Sequence, residues 1–281
     1  MSYSNIKEAY VDNFISEKNI VENYYQPNTS FLHEYFDDVV VITLPKRKEK
    51  MKNIMKQLDI SPYFFDAVMK DKLTRQQLLK EGFIKNTCDL NKGRIACHYS
   101  HIEVLKRFLN SNHNTCFIFE DDLDKSDNLD KLKNDIKYIH YQMNNNKNLQ
   151  NWDIINFGRC FDNCKTQQYI VNKHNNFPGI VKSEFPKCRH AYAVSRKGAH
   201  NIIKHSLPLD KAPGDRKISM EGQKGNINIF SVTPPLFFQN RNQFGTNLEN
   251  YAKHVDECSH HSELYKLDLS VRDIRNIINN K

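Results

Sequence analysis

The stretch TCFIFEDD, residues 115–122, places four apolar residues directly before three carboxylates. The run from Cys116 to Phe119 is typical of a buried strand. In an open α/β sheet, ligands bind beyond the carboxyl ends of the strands. Three adjacent carboxylates repel one another, and a hard divalent cation with oxygen ligands would relieve that repulsion. The stretch therefore predicts a strand that ends in a metal-binding acidic motif.

Within this motif, Asp122 is the first candidate metal ligand and Glu120 the second. Alternate residues of an extended segment point the same way, so these two side chains are expected to share one side. The alternative is a solvated turn whose carboxylates cap the next helix.

Strand and helix patterns alternate through the first two thirds of the chain. They predict an α/β fold with a mostly parallel central sheet flanked by helices. No linker divides the chain, so we expect one domain at 38–250, after a polar extension at 1–37 and before a tail with a short helix at 251–281. Strands are predicted at 38–44, 63–68, 115–119, 152–158 and 191–195, and helices at 47–58, 74–81, 91–109, 127–143 and 197–205.

Composition favours a soluble, cytoplasmic protein. No apolar run approaches the length of a membrane span, and the first residues carry no apolar core of a signal peptide. The net charge of +8 suits an anionic ligand such as a nucleotide diphosphate. No nucleic-acid-binding module accompanies that charge, so nucleic acid is not an expected partner. The Asn-, Lys- and Ile-rich composition is typical of an AT-rich bacterial or large-virus genome.

The seven cysteines include three in a polar insert, at Cys160, Cys164 and Cys188. Together with His174 or His190 they could hold zinc. Free loop thiols, or one bridge between two of them, are the favoured interpretation.

Six segments in order resemble glycosyltransferase family 25, which includes bacterial lipooligosaccharide galactosyltransferases and procollagen galactosyltransferases. The chain departs from the family pattern at Thr43 and Pro45, where Asn and Asp are usual, and the insert with Cys160 is not part of that pattern. The segments are ITLPKR (42–47), FDAV (65–68), GRIACHYSH (93–101) leading to the acidic motif, WDIINFG (152–158), AYAVSRKGA (191–199) and SVTPPL (231–236).

The resemblance implies a GT-A-type, Rossmann-like nucleotide-sugar-binding fold and an inverting enzyme that depends on Mn²⁺ or Mg²⁺. Such an enzyme moves galactose, glucose or N-acetylglucosamine from a UDP-sugar to a hydroxyl of a glycan, a lipooligosaccharide or a hydroxylysine. A relative that binds sugar or nucleotide without turnover is the alternative, and a metal-dependent nuclease is a weaker one.

The resemblance also implies roles for residues around the acidic motif. The competing interpretation of Lys46 and Arg47 is a solvated first turn, and that of His101 is a buried histidine with one satisfied hydrogen bond. Contacts to the nucleotide or donor sugar are expected from Leu44, Lys46, Arg47, Ser100, His101 and Asp121.

An inverting reaction needs a general base for the acceptor hydroxyl. Asp215, in a loop after Pro213 and Gly214, is the candidate, and a helix N-cap is its alternative role. A C-terminal histidine could add a metal ligand, from His254, His260 or His261.

Overall fold

The computed structural model describes residues 30–123, 128–163, 167–174 and 176–239. Eight strands form one sheet, in the spatial order β2-β1-β3-β7-β4-β8-β6-β5. The central strands are apolar on both faces because helices cover both. The strands are β1 (Asp38–Thr43), β2 (Tyr63–Asp66), β3 (Thr115–Glu120), β4 (Ile154–Gly158), β5 (Gln168–Val171), β6 (Gly179–Lys182), β7 (Ala191–Ser195) and β8 (Ile229–Thr233).

The α/β class is confirmed, but the expectation of a mostly parallel sheet is not. Three neighbouring pairs are parallel (β1/β2, β1/β3 and β4/β8) and the other four described pairs are antiparallel. Strand β7 enters the sheet at the carboxyl end of β3, because Ala191 lies opposite Phe119. From there the chain can only run back between β3 and β4, so the sheet is mixed.

Six α-helices are described, and alternation along the strands divides the core between them. Val39 and Val41 pack with α1 and α4 on one face, whereas Val40 and Ile42 pack with α3 and α5 on the other. The helices are α1 (Lys48–Gln57), α2 (Arg75–Lys80), α3 (Lys92–Leu109), α4 (Leu129–Asn145), α5 (Arg196–Ser206) and α6 (Gly214–Gln223). Short 3₁₀ turns lie at Phe31–Glu34, Pro45–Arg47, Lys70–Lys72 and Lys147–Leu149.

The packed chain begins before residue 38, because Phe31, Leu32 and Phe36 are buried in the core. The predicted tail at 251–281 lies outside the described residues. Among the helices of the described ranges, none is long and apolar enough to cross a membrane.

Cysteines 160 and 188 form a disulfide, which matches the expectation of one bridge in the insert. The sulfur atoms of this pair are bonded to each other, so the structure does not show them as zinc ligands. Cys164 lies outside the described residues. The ring of His190 bonds the Phe237 carbonyl through Nε2, at 3.2 Å. The bridge joins the two ends of the segment that carries β5 and β6.

Gly198 tests the packing of α5 on the sheet. A Cβ at this position would overlap the main-chain carbonyl of Asp153, which cannot rotate away. Overpacking of this kind costs ~1–3 kcal/mol. We expect Gly198→Ala to lower the free energy of unfolding, measured by urea denaturation, by that amount.

Gly222, in α6, is the matched control. Its Cβ would meet mainly the end of the Ile229 side chain, which can shift. Because alanine favours helix over glycine by ~1 kcal/mol, Gly222→Ala should be neutral or stabilising. Equal destabilisation by both substitutions would contradict this account of Gly198.

Candidate active site

A cleft of about 880 Å³ opens beyond the carboxyl ends of β1 and β3. Parallel strands deliver their last residues to one edge of a sheet, which explains how distant segments meet here. The residues predicted for the acidic motif, the nucleotide or donor-sugar contacts and the general base all line this cleft. They are Leu44, Lys46, Arg47, Ser100, His101, Glu120, Asp121, Asp122 and Asp215.

Asp121 joins the turn after β3 to the turn after β1. Its Oδ2 accepts the Leu44 N–H at 2.6 Å, and its Oδ1 pairs with Arg47 Nη1 at 2.7 Å. The pair is nearly buried, with 11% and 12% of the two side chains exposed. Asp121 therefore faces the first strand and serves as a bridge between the two turns.

Asp122 points to the other side of the motif. Its Oδ2 accepts a hydrogen bond from Gln239 Nε2 at 2.8 Å. Its Oδ1 is buried and has no hydrogen-bond partner among the described residues. Buried carboxylate oxygens are normally satisfied, so this oxygen is available for a ligand such as a cation.

Glu120 is the last residue of β3 and contacts helix α3. Its Oε1 lies 2.8 Å from His101 Nε2, and His101 Nδ1 lies 3.0 Å from the Tyr192 hydroxyl. Burial and the nearby Arg189 hold the pKa of His101 well below its usual value, so the ring is neutral. Nε2–H therefore donates to Glu120, and the tyrosine hydroxyl donates to Nδ1.

Glu120 and Asp122 both have raised pKa values. Burial raises the pKa of Glu120 to about 7, with Arg189 opposing the shift and Asp121 adding to it. Burial raises the pKa of Asp122 to about 7 as well, and repulsion from Glu120 and Asp121 contributes. Bringing carboxylates together out of water penalises their ionised forms. A cation between them would reverse that penalty.

Ser100 and Lys46 differ in how they meet the cleft. Ser100 is buried, and its hydroxyl accepts the Val68 N–H at 2.9 Å and donates to the Ala96 carbonyl at 2.8 Å. It orients the strand-to-turn segment after β2, which also lines the cleft. Lys46 is exposed and lines the cleft.

Asp215 lies in the first turn of α6, whose N-cap position is Pro213. The N-cap alternative is therefore wrong. Its two oxygens accept the main-chain N–H groups of Cys188, at 3.0 Å, and Arg216, at 2.8 Å. These bonds fix the carboxylate at the cleft and leave lone pairs free for a substrate hydroxyl.

Several cleft residues were not identified from the sequence. Arg189 is buried at the base, and His98 accepts its Nη2–H through Nδ1 at 3.1 Å. Gln239 holds Asp122, and the Cys97 sulfur lies 3.9 Å from Glu120 Oε1. The only signal in the sequence was the position of Cys97 and His98 about one turn before His101 on one helix. The candidate ligands His254, His260 and His261 lie outside the described residues.

The residues present fit a hard divalent cation. Asp122 keeps a buried, unpartnered carboxylate oxygen, and Glu120 is near enough for its charge to raise the pKa of Asp122. Mg²⁺ and Mn²⁺ prefer such donors and use few protein ligands when a phosphate supplies the others.

Two curated proteins resemble the chain. One is procollagen galactosyltransferase 1-A of Xenopus laevis, 25% identical over 211 residues, which cover 70% of this chain and 33% of the relative. The other is a glycosyltransferase 25 family member of Drosophila melanogaster, 23% identical over 255 residues, or 81% of this chain and 40% of the relative. The matched region thus spans well under half of either relative.

The sequence model described as glycosyltransferase family 25 (LPS biosynthesis protein) matches residues 37–216. That range contains every strand and helix that builds the cleft edge at β1 and β3, together with Asp215. The chain belongs to glycosyltransferase family 25.

Proposed function

We propose that the chain is a metal-dependent, inverting hexosyltransferase that uses a UDP-sugar donor. The observation that carries the proposal is the buried, unpartnered Oδ1 of Asp122 beside Glu120, at the carboxyl edge of the sheet. A diphosphate leaving group needs its charge neutralised, and Mn²⁺ or Mg²⁺ held by these two carboxylates would supply that neutralisation.

Protein groups on the β1 side of the cleft hold the nucleotide in this proposal. Leu44 and Arg47 are fixed by Asp121, so they present a rigid surface rather than a mobile turn. Lys46 adds an exposed positive charge beside them. The neutral ring of His101 orients Glu120 by donating to it, which keeps the carboxylate directed into the cleft.

Asp215 is the proposed general base. Two main-chain N–H bonds fix its position. It would accept the proton of the acceptor hydroxyl as that oxygen attacks the anomeric carbon and the bond to the diphosphate breaks. Inversion follows from this single displacement.

The names of the relatives guide the choice of substrates. One similar protein is a procollagen galactosyltransferase, and the family description refers to lipopolysaccharide biosynthesis. Galactose is therefore the first donor sugar to test, followed by glucose and N-acetylglucosamine. The acceptor class is a hydroxyl of a glycan, a lipooligosaccharide or a hydroxylysine.

The first test of the proposal is metal-dependent release of UDP from a panel of UDP-sugars. Asp122→Asn should reduce the Mn²⁺-dependent rate by about 100-fold or more, because it removes a ligand oxygen and its charge. Asp130→Asn is the matched control, since Asp130 is exposed on α4 outside the cleft. If UDP release depended neither on metal nor on Asp122, the proposed role of the acidic motif would be wrong.

Asp215→Asn tests the proposed base. We expect kcat for transfer to fall by roughly 10²–10⁴-fold, the usual contribution of general-base catalysis. Binding of UDP, measured by calorimetry, should stay near the wild-type value, because the proposed base contacts the acceptor. A variant with full transfer activity would assign the proton transfer to another group.

The pH dependence of stability provides a third test. Without metal, folded Glu120 and Asp122 keep protons up to about pH 7, whereas unfolded carboxylates lose them near pH 4. The folded state then binds more protons than the unfolded state between these values, so these groups make stability fall as pH rises from about 5 to 7.

Mn²⁺ binds the ionised carboxylates, so its effect on Tm should grow over the same pH range. The measurement is the Mn²⁺-induced increase in Tm at several pH values, compared between wild type and Asp122→Asn. An increase that does not change with pH, or that persists fully in the variant, would place the bound metal elsewhere.

A further inference from the structure

Arg189 is a buried cation at the base of the cleft. It follows the insert directly and is only 6% exposed. The next residue, His190, accepts the Glu120 N–H through its carbonyl at 2.9 Å, so Arg189 stands beside the acidic motif. Its Nη2 donates to His98 at 3.1 Å, while its Nη1 is buried without a hydrogen-bond partner among the described residues.

No ion pair joins Arg189 to a carboxylate among the described residues. Its charge is felt by Glu120, whose pKa it lowers, but its Nη1 has no hydrogen-bond partner there. Two other arginines have a carboxylate or carbonyl partner: Arg107 pairs with Asp38 at 2.6 Å, and Arg196 donates to main-chain carbonyls of the α3–β3 loop. Burying an unpaired guanidinium is unfavourable, so proteins rarely keep one without a ligand or partner.

The surroundings hold Arg189 in place. Cys188 is tied to Cys160 by the disulfide, and its N–H donates to Asp215. His98 lies against Gly214, where any side chain would overlap the imidazole ring. The guanidinium is thus fixed between the acidic motif and the start of α6. A fixed donor group with a free N–H is suited to binding a defined anion.

We propose that Arg189 forms an anion subsite that binds a phosphate of the donor diphosphate. This proposal rests on the proposed function in one respect. The proposed function identifies the bound diphosphate as part of a nucleotide-sugar. A guanidinium presents paired N–H groups that match two phosphate oxygens. The same chemistry would bind an anionic group on the acceptor, and the experiment separates the two sources.

The experiment measures binding of inorganic pyrophosphate and of UDP with Mn²⁺ present, by calorimetry and by the shift in Tm. Arg189→Gln should weaken both by roughly 10- to 100-fold, the range for a lost hydrogen bond to a charged group. Arg189→Lys, which keeps the charge but loses the planar fork, should fall between wild type and Gln.

Two control variants separate binding from folding. Lys211→Gln removes an exposed charge that also lines the cleft, and pyrophosphate affinity should stay within about threefold of wild type. Arg196→Gln removes an arginine that only binds main-chain carbonyls, so Tm should fall while the pyrophosphate-induced shift persists. Arg189→Gln should show the opposite pattern, with the ligand-free Tm unchanged or higher and the shift lost.

Three outcomes would overturn the inference. The first is unchanged pyrophosphate and UDP affinity in Arg189→Gln. The second is a lower ligand-free Tm with the full ligand shift, which is the pattern of a structural arginine. The third is loss of binding only for glucose 6-phosphate or glucuronate, used as probes of an acceptor anion. Pyrophosphate binding requires no sugar transfer, so loss of binding in Arg189→Gln supports the subsite even if no UDP-sugar is turned over.

Discussion

The bridge made by Asp121 is the constraint on which the cleft depends. One carboxylate accepts a main-chain N–H from the turn after β1 and pairs with the guanidinium of Arg47. This contact fixes the spacing between the turns that follow β1 and β3. The hydrogen bonds of the sheet end before these turns and would not fix it alone. The contact also gives one carboxylate of the acidic motif a cationic partner, Arg47, within the protein.

The polar groups of the site are of two kinds. Some have hydrogen-bond partners within the protein, and others keep an atom available for a ligand. His101 and Ser100 have their hydrogen bonds within the protein. Asp122 and Arg189 each keep one buried polar atom without a partner in the described chain. Active sites commonly hold such groups at a loss of stability, because preorganised charge binds a ligand without reorganisation. Opposite signs at the two positions suit a ligand that carries both a cation and phosphates.

The sequence predicted well those elements whose burial is continuous. Strand β1 and strand β3 are buried along nearly their whole length, and α3 carries a long apolar face, so their patterns are clear. Strand β5 is four residues long and largely exposed, and it gave no such pattern. The direction of β7 was not predictable, because an apolar run indicates burial and carries no information about which end enters the sheet first.

For the site, the acidic motif was predicted because it follows a strong strand signal, and the residues after β1 were predicted from the resemblance to the family. Arg189 was missed since its position depends on the path of the insert, which has little periodicity. Strand alternation, on which the expected shared side of Glu120 and Asp122 was based, does not extend past Glu120. The strand ends at Glu120, and the following two residues lie in a turn, yet Asp121 still separates from its neighbours because the first strand provides its partners.

The hairpin of β5 and β6 has a consequence for the solubility of this protein. Strand β8 is buried along all five of its residues and pairs with β6 on its outer side. A shortened insert that lacked the hairpin would leave the main-chain N–H and C=O groups on one side of β8 unpaired, an open edge that is a template for pairing with another molecule. The short, mostly exposed β5 ends the sheet instead, so the insert shields the fold from edge-to-edge aggregation.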